Sequence, residues 1–538
     1  MRPFYPRVLA VGDRAVTVEL GASLDQETVG RVRALDERLR ERDLPGVLEA
    51  VPTYAALLVI YDRRRLSFSE LSETLLQLAH GLEATFKSGR LVEIPVLYDG
   101  EDLYDVADSC GLTRDNVVEL HSSRDYSVLM LGFSPGFAYM GFVDERLRTT
   151  RRKAPRTRVP RGAIAVAGVQ TGIYPRALPG GWNLLGRTSL QLFDAATPLS
   201  AGPSASLSAG LSKASPSLLV PGDRVRFTPM MTLDSPAPTP RTEFVGSGVA
   251  VVEPGILTTI QDAGRPGLRR VAVPLTGYAD PMAARLANAC VGNPPDAPVV
   301  EVCGPGLKLC FETTTFIAVA GARVRAELER ADIESGQMTL PENVAVRVRR
   351  SNVLTITGLE DGVRGYLAIA GLLAEQVLGS ASVDLGSGFL RPLEAGDRLS
   401  VGAFDSDWVR REPLTPPPRR ETVRVILGPQ AHHFDDQTIE MFLSTRWTVG
   451  LDSDRVGARL SGPRLGHAGP NEIVSDGMVP GCIQIPPDGR PIVMLSDCPT
   501  TGGYPKIACV VSEDLGIIAQ AIPGRTAVFF AAVRIDDL

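Results

Sequence analysis

Residues 479–510 read VPGCIQIPPDGRPIVMLSDCPTTGGYPKIACV, a run of short apolar segments separated by glycine and proline. This pattern predicts short β-strands joined by tight turns. A second stretch, residues 159–175, reads VPRGAIAVAGVQTGIYP. Both stretches begin with Val-Pro and a small apolar strand, and QTGIYP at 170–175 matches TTGGYP at 500–505. Because the copies lie about 320 residues apart, they predict two related β domains rather than a solenoid of repeats.

Composition places the chain among globular proteins with several domains. Its 538 residues are too many for one hydrophobic core, and at roughly 100–200 residues per domain they predict three or four domains. The 53 glycines and 42 prolines are spread between apolar runs, which favours a β-rich protein with many turns. A formal net charge of −6 argues against a dedicated nucleic-acid binder.

The cysteines and the N-terminus indicate a compartment. Seven scattered cysteines form no CxxC pair, which predicts free thiols in a reducing environment. Asp13 and Arg14 interrupt the first apolar run, so we expect no signal peptide. No run of 18 apolar residues exists, so we expect no membrane span and a cytoplasmic protein.

Periodicity and proline-rich segments predict the domain organisation. Apolar residues at helical spacing predict helices at 27–42 and 67–82, and strands surround them, as in a small α+β subdomain. The stretch 235–242, SPAPTPRT, is typical of an extended linker, and residues 200–217, rich in Ala, Ser and Gly, are typical of a mobile loop. We therefore expect a mainly β protein with an α+β N-terminal subdomain, divided into residues 1–90, 91–232, a linker at 233–245, and 246–538 with room for two lobes.

Three sequence motifs invite a functional interpretation. QDAGRPG at 261–267 follows a predicted strand and combines an amide, a carboxylate and a guanidinium, although an Asp–Arg pair can equally brace a turn. The stretch 146–161 carries eight basic residues and no acid, which suits an anion but also a solvated loop or a docking face. His432-His433 near Asp435 more often faces solvent than binds metal, so we expect no metal site.

Ser134 in Gly-Phe-Ser-Pro-Gly has only a superficial similarity to a nucleophile elbow. Pro135 follows the serine and lacks the backbone N–H that an elbow uses for its oxyanion hole, which argues against a serine hydrolase. His121 is a candidate base, although a single histidine near a helix end is more often structural. The chain also lacks a Walker A sequence and a Met-Lys-Met carrier sequence, so use of ATP needs another site or a partner, and any biotin is carried by another chain.

The motifs also resemble two known families. Residues from about 5 to 230 resemble the allophanate hydrolase subunit 1 family, which includes the B-type subunit of 5-oxoprolinase, and residues from about 246 to 535 resemble the subunit 2 family, which includes the C-type subunit. The same arrangement forms the carboxyltransferase part of biotin-dependent urea carboxylase. The resemblance is carried by GFSPGFAYMG (132–141), KAPRTRVPRGAIAVAG (153–168), QTGIYP (170–175), PGGWNLLGRT (179–188), GILTTIQDAGRPG (255–267), ADPMAARLANACVGN (279–293), SDRVGARL (453–460) and residues 479–508. Cys498-Pro499 departs from a common Arg-Gln, and Asp476 from a common Glu.

The resemblance implies a fold and an activity. It implies a cyclophilin-like β-barrel in each half and an ATP-dependent 5-oxoprolinase that opens 5-oxoproline to glutamate together with a separate A-type subunit, which binds ATP itself or shares it. The alternatives are the carboxyltransferase of a urea carboxylase or urea amidolyase, with biotin on another chain, and a regulator that binds a sensor histidine kinase without catalysis. The implied partners are the A-type subunit and a small amide, with neither nucleic acid nor membrane; a homo-oligomer is compatible with the sequence.

Such chemistry needs a polar pocket that holds a planar amide and stabilises charge developing on its oxygen. Within the matching motifs we expect catalytic roles for Asp262, Asp280, Asp497, Thr501 and Lys506. The expected substrate-binding residues are Gln261, Arg265, Gln484, Thr500, Gly502, Gly503, Tyr504, Arg455, His121, Arg156, Gln170 and Tyr174. The second half is the richer in these residues, and we expect the first half to complete a cleft between the two.

Overall fold

The computed structural model describes residues 5–84, 89–197, 215–234, 243–330, 336–416, 418 and 420–538. Most of the predicted mobile loop (200–217) and the central part of the predicted linker (235–242) lie outside the described residues. The described chain is mainly β, with an α+β unit at its N-terminus and two barrel-like sheets, which confirms the expected fold class.

The N-terminal subdomain, residues 5–84, is a four-stranded antiparallel sheet covered by two helices. The sheet order is β1-β2-β4-β3. Asp25 caps the first helix by accepting a hydrogen bond from the Thr28 amide, and Ser67 with Glu70 forms a capping box on the second. Both helices were predicted to within a few residues. The elements are β1 (Arg7–Ala10), β2 (Ala15–Glu19), α1 (Gln26–Arg42), β3 (Val47–Pro52), β4 (Ala56–Tyr61) and α2 (Phe68–Ala79).

The first barrel occupies residues 89–232. Its seven-stranded sheet has the order β12-β9-β10-β7-β6-β13-β5, and a bridge between Leu97 and Arg187 brings β12 back beside β5. A separate two-stranded ribbon pairs β8 with β11. The elements are β5 (Leu91–Val96), α3 (Leu103–Cys110), α4 (Arg114–Ser122), β6 (Asp125–Leu131), β7 (Ala138–Gly141), β8 (Arg156–Val159), β9 (Ala163–Ala167), β10 (Gln170–Ile173), β11 (Leu178–Gly180), β12 (Asn183–Arg187) and β13 (Arg224–Pro229).

The middle lobe, residues 243–416, is built on two long antiparallel strands, β18 and β21. Asp280 caps α5 through the Ala283 amide and Pro281 fills its first turn, as the sequence predicts. The elements are β14 (Gly248–Pro254), β15 (Thr258–Gln261), α5 (Pro281–Val291), β16 (Val299–Val302), β17 (Leu307–Phe311), β18 (Thr315–Glu329), β19 (Gln337–Thr339), β20 (Val346–Val348), β21 (Val353–Ile369), β22 (Leu372–Leu373) and β23 (Arg398–Val401).

The second barrel, residues 420–538, is closed, with the order β24-β31-β28-β29-β26-β25-β32. Trp447, Phe442 and Phe530 lie in its core. A short ribbon pairs β27 with β30. The elements are β24 (Thr422–Leu427), α6 (Asp436–Ser444), β25 (Trp447–Val449), β26 (Gly457–Ser461), β27 (Asp476–Gly477), β28 (Cys482–Gln484), β29 (Ile492–Met494), β30 (Thr501–Gly502), β31 (Lys506–Val510), α7 (Leu515–Ala519) and β32 (Ala527–Ala532).

The two barrels share one topology. In each, the first strand pairs in parallel with the last, β5 with β13 and β24 with β32. Taking the remaining strands in chain order matches β6, β7, β9, β10 and β12 with β25, β26, β28, β29 and β31, and every neighbour relation is preserved. The ribbon β8–β11 then corresponds to β27–β30. The relationship expected from the sequence is therefore present in the strand order.

The strand order corrects one part of the sequence alignment. The Val-Pro starts at 159 and 479 do correspond, since each leads into the matched strands β9 and β28. QTGIYP at 170–175 begins with β10, however, whereas TTGGYP at 500–505 contains β30, whose counterpart is β11. The true counterpart of Gly502-Gly503 is Gly180-Gly181. The turn-forming Thr-Gly and Tyr-Pro pairs recur in both motifs and misled the sequence comparison.

The register supports this assignment. The β9–β12 pairing shifts between Leu184 and Gly186, and the β28–β31 pairing shifts at the same place, between Ile483 and Gln484. Matching the two shifts places Lys506 at the position of Leu184. Gln484 pairs with Lys506 and Ala165 pairs with Leu184, so Gln484 stands at the position of Ala165. The second barrel thus carries polar side chains where the first has small or apolar ones.

The units pack into a continuous body. Asp13 accepts hydrogen bonds from the Ser512 amide (2.9 Å) and hydroxyl (2.7 Å), and Glu49 pairs with Arg269 at 2.7 Å. These contacts join the N-terminal subdomain to the second barrel and to the middle lobe. Middle-lobe side chains enter the first barrel's core cluster: Leu268, Val271, Ala272, Val273, Leu378 and Phe389.

Candidate functional site

The ribbon β27–β30 lies where three units meet, and we call it the junction ribbon. Its register pairs Asp476 with Gly502 and Gly477 with Thr501. A Cβ atom at Gly477 would lie 2.6 Å from Leu58 of the N-terminal subdomain, and one at Gly132 of the first barrel would lie 2.5 Å from Thr501 Oγ1. Only glycine fits at positions 477 and 132, because a larger side chain would clash there. The ribbon thus contacts both halves of the chain.

Lys506 and Asp476 form a buried ion pair behind the ribbon. Lys506 Nζ lies 2.9 Å from Asp476 Oδ2 and 3.3 Å from the Gly477 carbonyl oxygen. Thr17 of the N-terminal subdomain and Gln430 also donate to the Asp476 carboxylate. Burial opposes the charged form of Lys506, but Asp476 prevails and raises its pKa. The ammonium is thus engaged within the protein, whereas the sequence predicted a catalytic role for Lys506.

A cavity of about 400 Å³ opens beside the ribbon, between the N-terminal subdomain and the second barrel. Burial raises the pKa of the Glu19 carboxyl at its wall, although Arg7 acts in the opposite direction. Gln430 Nε2 lies 3.4 Å from both Glu19 and Asp476. Glu19 is therefore suited to exchange a proton closer to neutral pH than an exposed glutamate. The polar or charged lining includes Glu19, Thr53, Gln430, His432, His433, Glu472, Ser475 and Asp476.

Aromatic side chains of the first barrel and N-terminal subdomain lie next to the ribbon. Gln170 donates to the Tyr54 hydroxyl at 2.7 Å, and the Tyr54 and Tyr139 rings meet edge to face at 5.8 Å. Burial raises the pKa of Tyr139, and the nearby Arg151 guanidinium only partly offsets it, so the phenol stays neutral. Tyr139 also lies beside Gly132 and so close to Thr501. This wall offers aromatic surface and one exposed cation.

Two polar atoms near the ribbon are buried without a partner among the described residues. They are Gln484 Oε1 and Thr500 Oγ1. The hydrogen-bond partner of the Gln484 amide nitrogen among the described residues is Met494 Sδ, at 3.1 Å, which is a weak acceptor. Buried polar groups are normally hydrogen-bonded, so unsatisfied ones at a junction between units mark a place where a ligand or water binds. Gln484 and Thr500 were both predicted from the sequence as substrate-binding residues.

The other predicted acids belong to an internal network. Arg455 binds Asp497 through two hydrogen bonds of 2.9 and 3.0 Å and also contacts Glu301. Burial raises the pKa of Asp497 to about 6, and Arg455 opposes this rise. Asp280 accepts hydrogen bonds from Ala283 and Gln520. The network ties the middle lobe to the second barrel, which accounts for these side chains without a substrate.

Asp262 and Arg265 brace the loop 377–383 rather than each other. The Asp262 carboxylate accepts hydrogen bonds from Ser380 Oγ (2.5 Å), the Ala381 amide (2.6 Å) and Ser382 Oγ (2.6 Å). Arg265 donates to the carbonyls of Val377 and Ser382. Gln261 Nε2 donates to Val383. This arrangement favours the turn-bracing interpretation of the QDAGRPG motif.

The remaining predicted residues lie in several places. His121 is fully buried in the first barrel, bonded to Tyr98 Oη (2.7 Å) and Thr171 Oγ1 (2.8 Å), and burial lowers its pKa to about 3. It cannot act as a base for Ser134, whose Oγ has no partner. Arg156, at the position matching Asp476, binds Asp102 at 2.7 Å. Tyr174 is buried against Phe133 and Phe137 in the first barrel. The Gly503 carbonyl accepts a hydrogen bond from the Ile473 amide. Tyr504 is half-buried beside the ribbon.

Sequence reasoning missed Glu19, Gln430, Tyr54, Tyr139 and Arg151. Glu19 and Gln430 lie 411 residues apart, so no local pattern connects them. Within the described ranges, no group of three or more His, Cys, Asp or Glu side chains is placed to hold a metal ion. No helix in the same ranges is long and apolar enough to span a membrane.

Comparison with known proteins accounts for this architecture. Residues 6–201 match the carboxyltransferase domain, subdomains C and D, and residues 271–531 match its subdomains A and B. The C-type subunit of 5-oxoprolinase from Escherichia coli (strain K12) is 35% identical over 292 residues, 53% of this chain and 92% of that protein. The B-type subunit of 5-oxoprolinase from Escherichia coli O157:H7 is 41% identical over 226 residues, 41% of this chain and 95% of that protein.

A solved structure covers both halves together. The crystal structure of TTHA0988 matches with a TM-score of 0.82 at 37% identity, over 96% of this chain and 99% of that chain. The two barrels, the middle lobe and the N-terminal subdomain are thus a shared architecture. The chain belongs to the carboxyltransferase domain family and unites in one polypeptide the counterparts of the B-type and C-type subunits of 5-oxoprolinase.

Proposed function

We propose that the protein is a component of an ATP-dependent 5-oxoprolinase, which opens 5-oxoproline to glutamate together with a separate A-type subunit. One observation carries the proposal: nearly full-length counterparts of the B-type and C-type 5-oxoprolinase subunits occur in one chain, and their junction forms a polar site from both. A fused chain keeps the two surfaces of such a site together at every protein concentration.

The junction offers groups suited to a small lactam acid. The unpartnered Gln484 Oε1 accepts a hydrogen bond from the ring N–H, and Thr500 Oγ1 donates to the ring oxygen as negative charge develops there. Tyr139 and Tyr54 supply aromatic surface, and Arg151 supplies a cation for the carboxylate. Glu19, with its raised pKa, exchanges the proton that the departing nitrogen needs.

The linings of two cavities in the described part of the chain do not favour ATP. The lining of the junction cavity includes Glu19, Glu472 and Asp476 and, among the described residues, no Lys or Arg. A second cavity, of about 560 Å³ between α5 and the second barrel, has more acids than bases. Carboxylates repel a triphosphate. We therefore assign ATP binding to the partner subunit, where ATP supplies the driving force for opening an unstrained amide. The charged lining of the second cavity is Asp280, Asp361, Glu421, Glu513 and Asp514 against Arg420 and Arg424.

A coupled assay tests the proposal. The purified chain is assembled with a candidate A-type subunit and supplied with ATP and 5-oxoproline, and glutamate and ADP are measured. We expect both products in equal amounts, and at least a tenfold loss of turnover in Gln484→Ala. Gln337→Ala, on the exposed β19, is the matched control and should leave turnover unchanged.

Two outcomes would contradict the proposal. One is the absence of glutamate and ADP from a soluble, assembled complex. The other is carboxylation of urea when a biotin carboxylase with its biotin carrier replaces the A-type subunit, which would favour the carboxyltransferase function that the family description names.

A further inference from the structure

A second group of unsatisfied polar atoms lies at the seam between the first barrel and the middle lobe, away from the junction ribbon. The seam is formed by the middle-lobe loop 377–389. Phe389 of this loop lies 5.9 Å from Phe193 of the first barrel, and Arg176 of the first barrel lies against Gly388. Arg265 stacks on the other side of Phe389, at 5.1 Å from the ring centre. We call this place the Asp384 niche.

Four side chains at the niche each have one buried atom without a hydrogen-bond partner in the described ranges. These atoms are Gln261 Oε1, Arg265 Nη1, Arg176 Nη1 and Asp384 Oδ2. The other polar atoms of three of the side chains are used. Asp384 Oδ1 accepts from the Ser387 amide at 2.8 Å, Gln261 Nε2 donates to Val383, and Arg265 donates to Val377 and Ser382 through Nε and Nη2. The side chains are therefore held in place while one atom of each stays open.

The opposite charges at the niche do not neutralise each other directly. Asp384 lies within 4 Å of no arginine nitrogen in the described part of the chain, yet its charge acts on both Arg176 and Arg265. Burial lowers the pKa of each arginine and Asp384 opposes that effect. Asp384 and Arg265 are each only 1% exposed. Buried polar atoms are normally hydrogen-bonded, so four unpartnered ones around Asp384 indicate that a further group is bound there.

The open atoms define the chemistry of that group. Two guanidinium nitrogens donate hydrogen bonds, and a carboxylate oxygen and an amide oxygen accept them. A simple anion would satisfy the arginines and be repelled by Asp384, and a simple cation would be repelled by the arginines. A molecule with a carboxylate next to a nitrogen that carries two hydrogens satisfies all four atoms, and one with a single N–H satisfies three of them. Arg176 is half-buried, so the seam offers a route for entry.

We propose that the Asp384 niche binds a small amino or imino acid through its carboxylate and its adjacent N–H. Arg176 and Arg265 hold the carboxylate, Asp384 accepts a hydrogen bond from the nitrogen, and Gln261 accepts a second one where the nitrogen carries two hydrogens. Because one partner comes from the first barrel and three from the middle lobe, the bound acid fastens the seam between them. This binding site deepens the proposed function. It rests on that function only for the choice of the first probe, 5-oxoproline, which carries a carboxylate and an adjacent N–H.

Calorimetric titration of the whole chain, without the A-type subunit or ATP, tests the niche. The probes are 5-oxoproline, L-proline, acetate and 2-pyrrolidinone. We expect saturable binding of the first two and at least tenfold weaker binding of acetate, which lacks the N–H, and of pyrrolidinone, which lacks the carboxylate. Asp384→Asn and the half-buried, more tolerant Arg176→Gln should each weaken binding at least tenfold. Gln337→Ala, on the exposed β19, is the control and should leave the binding of L-proline unchanged.

Three results would overturn the proposal: no binding of any probe, which means that water alone fills the niche; binding that survives in both niche variants; or binding lost in Gln484→Ala, which assigns the acid to the junction. Melting temperatures of the variants without ligand show that each is folded. The turnover assay and the binding assay can fail separately. If the wild-type chain binds the acid but forms no glutamate with the A-type subunit, the proposed function is wrong and the niche proposal stands.

Discussion

At the residue scale, the second barrel carries a charged pair where the first carries none at the same strand position. Lys506 stands at the place of Leu184, and both Lys506 and Asp476 are almost completely buried. A buried pair of this kind contributes little net stability against an apolar pair, but removing one partner leaves an uncompensated charge. The ion pair fits a role in holding the junction ribbon, since Lys506 also contacts the Gly477 carbonyl.

This pair gives a first prediction. Lys506→Met should destabilise the protein by about 3–5 kcal/mol, because it leaves the Asp476 carboxylate buried without its cation. The double variant Lys506→Met/Asp476→Asn should recover most of that loss. Denaturant unfolding followed by the fluorescence of Trp447, in the core of the same barrel, measures both.

The exposed pair Arg285–Asp296 provides the control for this experiment. Its side chains are about half exposed, so Arg285→Ala should change stability by less than about 0.5 kcal/mol. Equal losses in the single Lys506 variant and in the double variant would show that charge compensation is not what the pair provides.

His121 gives a prediction about pH. Its pKa is lowered to about 3 by burial, from an unfolded value of about 6.5, so the unfolded chain takes up the proton first. Stability should therefore fall as pH drops below 6.5, by up to about 1.4 kcal/mol per pH unit, and no such loss should occur above 6.5. Melting temperatures from pH 8 to pH 5 test this: His121→Gln should melt lower at pH 8, but the gap should narrow at pH 5.

The exposed His80, which follows α2, serves as the comparison. His80→Gln should leave the pH dependence of melting unchanged. Parallel curves for the wild type and His121→Gln across the whole range would refute the role given to His121.

At the element scale, the junction ribbon depends on a close approach between the two halves. A Cβ atom at Gly132 would lie 2.5 Å from Thr501 Oγ1 and 2.9 Å from Met130 Cε. Gly132→Ala should therefore cost about 1–3 kcal/mol through overpacking and reduce turnover. Thr501→Ala should restore part of the stability of this variant. Thr501→Ser, which keeps the oxygen, should restore none, and equal rescue by both would exclude this contact as the cause.

The elements were easier to predict than the site. The helices followed from local chemistry, such as the Asp280 cap with Pro281 behind it, because capping depends on neighbours in the chain. The repeated Val-Pro starts predicted two related β domains, and the family resemblance implied a barrel in each. The repeated Thr-Gly and Tyr-Pro pairs led to a wrong match between QTGIYP and TTGGYP. Gly-Pro motifs recur wherever a barrel turns, so only the strand order identifies the counterparts.

Part of the candidate site could be predicted for a physical reason. Gln484, Thr500 and Thr501 stand in one local motif, and the structure brings them to the ribbon. Asp262 and Asp497 carry the same chemical groups, but distant partners, Ser380 and Arg455, occupy them. Glu19 and Arg151 become site residues only because separate units meet at the ribbon, and no spacing along the chain encodes that meeting.

At the scale of the whole molecule, the described units pack into one body, with the candidate site at their junction. The N-terminal subdomain binds the second barrel through Asp13 and Ser512 and through Thr17 and Asp476. The middle lobe enters the core of the first barrel. Each half therefore completes the other, which agrees with the relatives in which the counterparts of these halves are named as separate subunits.

The most direct test is to separate the halves. Residues 1–234 and 243–538, coexpressed as two chains, should copurify in equal amounts. Assembled with the A-type subunit, ATP and 5-oxoproline, the pair should form glutamate and ADP, whereas neither soluble fragment alone should do so. Glutamate formation by one fragment at the rate of the intact chain would contradict a site built from both halves.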